Sequence, residues 1–371
     1  MSIPTSAHEI ITKISELTKE VNGVLQDPFF DSLAMTKQHK IAQKLHLNDF
    51  SVINTVYLGD HLRNARPMNS KRKYINLPVD FLDTPPNELP SKGLFLLTNN
   101  DIGKNLPKYI SFYENNPDIL FIIWDWDSQH WIYMSSILAM NCDFYIPATS
   151  ENSFLLSHFN PNTVGPIFAV AHQWTKLFLL ENIDLLLQAR LDEPLGIHGY
   201  YGDFPKRNRA INTVSNTFST VGFGNNDFKS RSDLDNLKEW AQYKTHWIVP
   251  VLGGVPIRVY NALITGGIPI LPSFYKNMPE VINFGGIPLY YETSDLIDPR
   301  PINKAAVDKF DSGSVSGLIQ RIIDSIGTNH IDANCDKIIL SIEDIADNIT
   351  TSYKEHRSGY LGLRHNLQYR H

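Results

Sequence analysis

The chain has 371 residues, 42% of them hydrophobic and 19% charged, with a formal net charge of −6. That length suits two domains better than one core, and the composition is ordinary for a globular protein. The acidic balance argues against a nucleic-acid binder and the lack of a long uncharged apolar run against a transmembrane helix, while two distant cysteines, Cys142 and Cys335, form neither a disulfide framework nor a thiolate zinc site.

The first 50 residues read as mostly helical. Ile10, Ile11, Ile14, Leu17 and Val21 recur near helical spacing. No basic start followed by an apolar stretch marks a secretory signal, so a cytoplasmic, reducing location is expected, with a peripheral membrane contact left open. Strands are then expected over 51–57, 94–97, 119–124 and 143–147. Helices are expected over 101–113, 131–140 and 152–158. A helical stretch at 174–189 precedes a second series, with strands at 195–200, 220–223, 246–249, 268–271 and 285–291. Its helices are one opened by Pro205, one over 232–243 capped by Ser232 or Asp233, and one over 256–265 closed by Gly266 and Gly267. Helices over 316–326 and 338–353 end the chain. Alternating strands and helices predict an α/β protein of two Rossmann-like domains facing across a cleft. The expected units are 1–175, 176–335 and a C-terminal helical segment, 336–371, that either stays apart or packs back on the first unit.

The run WDWDSQHW (124–131) follows the most apolar strand, ILFIIW. Carboxyl ends of parallel strands line ligand crevices, so Asp125, Asp127 and His130 are expected at the cleft. A base there would activate an acceptor hydroxyl; His130 has the better intrinsic pKa, with Asp125 or Asp127 orienting or replacing it. Ser150 and Glu151 follow the next strand, which makes Glu151 a second carboxylate candidate or a helix-start residue. Arg63, Arg66, Lys71, Arg72 and Lys73 form the densest basic stretch and read as a solvated loop or an attractor for a charged acceptor. His172 and Trp174 fall near the expected junction.

In the second half, GGVPIRVYNALITGGIPILPS (253–273) reads as a Gly-rich turn, a helix, a glycine stop and a buried strand. A turn opening a helix presents free N–H groups and a positive dipole end to phosphate. Gly253 and Gly254 form that turn, Arg258 stands in the first helical turn, and Asn261 lies three residues on, on the same face. In GYYGDFPKRNR (199–209), Lys206, Arg207 and Arg209 follow a strand end.

The run R-x-x-N-A-L-I-x-G-G-I-P-I-L resembles the donor-site signature of GT-B glycosyltransferases, as in glycosyl transferase group 1 and bacterial surface-polysaccharide transferases. The resemblance implies that the second domain binds a nucleotide-sugar donor through Lys206, Arg207, Arg209, Gly253, Gly254, Arg258 and Asn261. Asn261 stands where that family commonly has the glutamate that holds the ribose. The implied activity is transfer of a sugar to a glycan, lipid-linked or protein acceptor, in surface-glycan synthesis by analogy, with no cofactor and no metal. Two rivals remain. Asp125-Trp126-Asp127 fits the D-x-D pattern with which GT-A enzymes hold Mg²⁺ or Mn²⁺, and a degenerate GT-B scaffold could bind nucleotide or glycan without catalysis. A dinucleotide oxidoreductase is disfavoured, because no G-x-G-x-x-G follows an early strand.

Overall fold

The computed structural model describes residues 40–41, 44–45, 55–65, 72–128, 131–150, 152–160, 162–167, 174–224, 231–251, 254–282, 284–328, 332 and 334–344. Five parallel strands, β1 (Thr55–Leu58), β2 (Lys73–Asn76), β3 (Gly93–Thr98), β4 (Ile119–Asp125) and β5 (Phe144–Pro147), form a first sheet in the order β2-β1-β3-β4-β5. β4 is buried at every position, because its alternate side chains feed two separate cores. Leu120, Ile122 and Trp124 join one, and Ile119, Phe121 and Ile123 join the other.

A second parallel sheet holds β6 (Leu191–His198), β7 (Val221–Phe223), β8 (Tyr243–Trp247), β9 (Ile268–Pro272) and β10 (Leu289–Tyr291), ordered β10-β9-β8-β6-β7. It too is covered on both faces. Ile248 and Leu271 pack in one core, and Trp247, Val249, Ile268 and Ile270 in the other. Counted from each half's first strand, both sheets have the order 2-1-3-4-5. In that order the strand sequence reverses direction beside the first strand, so the switch points lie between β1 and β3 and between β6 and β8. Ligand crevices of open α/β sheets form at the carboxyl ends of such pairs.

The helices follow the expected turn chemistry. Ser232 caps Asp233–Ala241 by accepting the Asp235 amide at 3.1 Å. Gly266, at φ 76°, ends Ile257–Ile264, where a side chain would strike Leu318 and Ile322. Several expectations differ from the structure: the helical stretch at 174–189 is two short helices, Lys176–Glu181 and Ile183–Leu186, and the strands expected over 246–249 and 285–291 are Tyr243–Trp247 and Leu289–Tyr291. The single helix over 101–113 is instead the short Asn99–Ile102 and the longer Leu106–Asn115, broken at Gly103 with φ 48°. β6 starts at Leu191 rather than 195.

At the expected boundaries, Trp174 packs in a core of the second sheet and donates its indole N–H to Asp233 O at 3.2 Å. Cys335, Ile338, Ile339 and Ile342 cross back into a core of the first sheet, and Glu343 pairs with Arg72. Both cysteines are buried free thiols. No helix among the described residues is long and apolar enough to cross a membrane.

Candidate functional site

At the second switch point, β6 ends in His198, whose ring is buried and fixed from both sides. Nε2 accepts the Val249 amide at 3.0 Å, so Nδ1 carries the proton and donates to Gly196 O at 2.6 Å. Burial, then the charges of Arg258 and Arg207, push its pKa well below the ordinary histidine value. A neutral imidazole thus ties β6 to the end of β8, and it registers both cations.

Arg207 comes from the first turn of Pro205–Ser215, with Pro205 in the opening turn. It is half-buried. Its Nη1 donates to Gly199 O at 2.8 Å and its Nε to Val249 O at 3.2 Å, and the guanidinium lies 5.4 Å from the Tyr201 ring centre. Two of five guanidinium donors are thereby used to hold the group between strand ends. Lys206 and Arg209, neighbours on the same helix, are exposed. Of the three cations expected there, only Arg207 turns inward.

Arg258, also half-buried, stands in the first turn of Ile257–Ile264 with its guanidinium 5.9 Å from the Trp240 ring centre. Burial and then repulsion from Arg207 lower its pKa to about 10. Glu239 offsets this in part, but its carboxylate is bonded to Arg231 at 2.8 Å. Among the described residues neither Arg207 nor Arg258 has a carboxylate within ion-pair distance. Two half-buried guanidinium groups, neither ion-paired to a carboxylate among the described residues, concentrate positive charge here in a chain of net charge −6. Asn261 is 2% exposed and its Oδ1 has no partner among the described residues. Gly254 is buried and its carbonyl accepts the Tyr275 hydroxyl at 2.9 Å. Gly253 lies outside the described residues.

In the first sheet, Asp125 does end β4 as expected, but it points inward. It is fully buried, its Oδ2 accepts the Tyr145 hydroxyl at 2.6 Å, and its Oδ1 accepts the Asp127 amide at 3.1 Å. Burial raises its pKa to about 6 in spite of these bonds. It therefore cannot meet an acceptor as a base at the cleft, and it is a positioning residue for the turn that carries Asp127. Asp127 is partly buried and accepts from Asn99 Nδ2 at 3.2 Å and Asn100 Nδ2 at 3.3 Å. A cation bridging Asp125 and Asp127 would have to displace the Tyr145 hydroxyl. Among the described residues no three His, Cys, Asp or Glu side chains gather as a metal site. His130, Glu151, Arg66, Lys71 and His172 lie outside the described residues.

The first switch point holds a pair that the linear sequence does not show. His61 follows β1, and Asp101 follows β3, forty positions later. His61 Nδ1 and its backbone N–H both lie 2.9 Å from Asp101 Oδ1. Asp101 Oδ2 accepts the Thr98 amide at 2.6 Å and the Thr98 hydroxyl at 2.9 Å, the two forming a capping box at Asn99–Ile102. Four donors fix this carboxylate, whose side chain is 1% exposed. Proton donation from Nδ1 to Asp101 orients the His61 ring, which is 38% exposed. The ring meets Trp126 edge-on at 6.3 Å. A pocket of about 250 Å³ adjoins it, lined by His61, Asp101, Asp60, Asp80, Asp83 and Phe81 among others. Gly59 permits the arrangement, since a Cβ there would lie 2.2 Å from Asp101 Oδ2.

The two halves touch at a hydrogen-bonded link. Glu280 Oε1 accepts the Ser150 amide at 2.9 Å and the Ser150 hydroxyl at 2.6 Å, across 130 residues of sequence. Ile257, at the start of the Arg258 helix, packs against a core of the first sheet.

Neither a protein-family model nor a curated protein matches the sequence. Among solved structures the chain is similar to an alpha,alpha-trehalose 6-phosphate synthase from Burkholderia multivorans, at a TM-score of 0.42 and 9% identity over 76% of each chain. A likeness that distant says nothing of substrate or chemistry.

Proposed function

We propose that the chain is a GT-B-type glycosyltransferase that moves a sugar from a nucleotide-sugar donor to a hydroxyl acceptor, either a glycan, a lipid-linked or a protein acceptor. The observation that carries this reading is the convergence of Arg207 and Arg258 on the β6/β8 switch point without a carboxylate partner among the described residues. Such a site suits the diphosphate of a nucleotide. Stabilising charge that develops on a departing phosphate is a large catalytic effect. Asn261, three residues from Arg258, adds a buried acceptor for hydroxyl groups.

Asp127, which follows the end of β4, supplies the base. In the proposed step the acceptor oxygen bonds to the anomeric carbon as the bond from that carbon to the diphosphate oxygen breaks. The leaving electron pair stays on the phosphate held by the arginines, and the acceptor proton passes to the Asp127 carboxylate. Asn99 and Asn100, which donate to Asp127 Oδ2, hold that carboxylate in place. Direct displacement of this kind inverts the anomeric configuration. Surface-glycan synthesis is a suitable setting for such an enzyme.

A thermal-shift screen with UDP, GDP, CMP and dTDP tests the donor site. A nucleotide at a hundredfold excess over its Kd adds about 2.7 kcal/mol to stability. Arg258→Ala should abolish most of that gain, because one charge-assisted contact is worth about 1.5–3 kcal/mol. An equal gain in the variant, or none in the wild type with any nucleotide, would reject the site. Donor hydrolysis or transfer above background separates an enzyme from a binding protein.

A further inference from the structure

The second carboxylate oxygen of Glu280 has no role in anything described so far. Glu280 lies in Pro279–Ile282, just beyond β9, and is 2% exposed. Its Oε1 takes both Ser150 donors from the first half of the chain. Its Oε2 is buried and has no hydrogen-bond partner among the described residues, and no cation pairs with it there. A buried, unpartnered carboxylate oxygen carries a desolvation cost that a protein rarely leaves unanswered. Glu280 also sits within electrostatic reach of the Tyr260 hydroxyl; Tyr260 lies between Val259 and Asn261 on the Arg258 helix, and burial, then Glu280, raises its pKa. On the Arg258 helix itself, Asn261 Oδ1 is also a buried acceptor without a partner among the described residues. Two vacant acceptors thus lie near the helix that presents Arg258, and one of them belongs to the residue that holds the halves together.

We propose that Glu280 is a clasp that couples ligand binding to closure: Oε1 holds Ser150 of the first half while Oε2 accepts a hydroxyl of the bound nucleotide sugar. This rests on the donor-site reading above and adds to it a residue outside the sequence motif. The ligand's hydroxyl replaces the missing partner of Oε2, and the carboxylate can satisfy both ends only when the halves are together. Ligand and clasp then stabilise each other by the same factor, since coupling between two sites is reciprocal. Acceptor chemistry alone admits two sources for the hydroxyl, the ribose and the transferred sugar.

The test uses the full chain with UDP, UDP-glucose, GDP and GDP-mannose as probes. Affinity is read by calorimetry, and exchange of the Ser150 amide by mass spectrometry. Glu280→Gln places a donor where Oε2 accepts, so the best probe should bind at least tenfold more weakly. Ser150→Ala removes one clasp bond and leaves Oε2 intact, and should weaken binding about threefold. In the wild type the probe should slow Ser150 exchange, and in Glu280→Ala it should not. A loss seen with UDP or GDP alone assigns the ribose hydroxyl, and a loss confined to the sugar conjugates assigns the transferred sugar. Unchanged affinity in Glu280→Gln with Arg258→Ala still defective overturns the clasp and leaves the donor site standing. Binding of no probe by the wild type overturns both. Should Glu280→Gln fail to fold, undiminished affinity together with unslowed exchange in Ser150→Ala refutes the proposal.

Discussion

Asp125→Asn should make the protein more stable at neutral pH and reverse part of its pH dependence. The carboxyl of Asp125 is raised from an ordinary 3.8 to about 6 because it is fully buried, with Ser135, Tyr145 and the Asp127 amide offsetting that burial only in part. A rise of that size corresponds to ~3 kcal/mol. The sign follows from proton binding. Between about pH 3.8 and pH 6 the folded chain keeps a proton that the unfolded chain has released, so this group's contribution falls as pH rises. The penalty is absent below that window and complete above it. Asparagine carries no charge to bury. Its Oδ1 keeps the Asp127 amide and its Nδ2 can donate to the Tyr145 oxygen, so any fixed packing difference does not vary with pH. The stability of the variant relative to wild type should therefore improve by about 2 kcal/mol between about pH 4 and pH 7. Urea unfolding followed by tryptophan fluorescence at four pH values measures this directly. A difference that stays flat, or that favours the variant more in acid, would mean that Asp125 is solvated and ionised and that its inward placement is wrong.

Asp127→Asn should lower transfer or donor hydrolysis by about 10²–10⁴-fold, the range of a lost general base, while the nucleotide-induced thermal shift survives. Rate and shift measured on the same preparation separate base from donor site. Gly59→Ala should cost about 1–3 kcal/mol in urea unfolding, because a methyl 2.2 Å from Asp101 Oδ2 meets a carboxylate held by four donors. An unchanged unfolding midpoint would show that the carboxylate moves freely.

Most of the strand framework was legible because β3, β4, β5 and β9 are short apolar runs between turn residues. β2 was missed. Its four residues, KYIN, are exposed or half-buried at the sheet edge, so no apolar run marks them. The helix Arg300–Asp311 was missed because it buries only Asn303, Ala306 and Val307 and reads as polar. The position of Asp125 at a strand end was readable, whereas its direction was not. A strand buried on both faces has no polar side to give the alternation a phase. Lys206, Arg207 and Arg209 were equivalent as letters. Only Arg207 lies on the side of the helix that meets the ends of β6 and β8. His61 and Asp101 were the hardest to see, since the strand order alone, with β3 placed beside β1, brings them together. A histidine three residues beyond β1 and an Asp three beyond β3 were the available signal, once the 2-1-3 order is assumed.

The shared strand order also explains how a chain of net negative charge can hold opposite chemistries. Each 2-1-3-4-5 sheet supplies one reversal of strand order, and hence one crevice whose walls come from loops far apart in sequence. In the second sheet those loops bring two guanidinium groups around a histidine kept neutral by burial, so positive charge accumulates with no ion-paired carboxylate among the described residues. In the first they bring the Asp127 carboxylate, held by Asn99 and Asn100, and a histidine held by a carboxylate, beside a pocket edged with further aspartates. A reaction that releases an anion at one centre and a proton at another needs that division. Cations beside the base would make it a poorer proton acceptor, and carboxylates beside the arginines would neutralise them before a phosphate could. Separate sheets keep the two groups apart in the chain, and the Ser150–Glu280 link sets how the halves meet. If the proposed transfer is right, moving a carboxylate into the arginine site, as in Asn261→Asp, should weaken nucleotide binding more than Asn261→Ala does, because it supplies Arg258 with the counter-charge that the ligand otherwise provides. Equal losses in the two variants would show that the arginines do not work as an uncompensated pair.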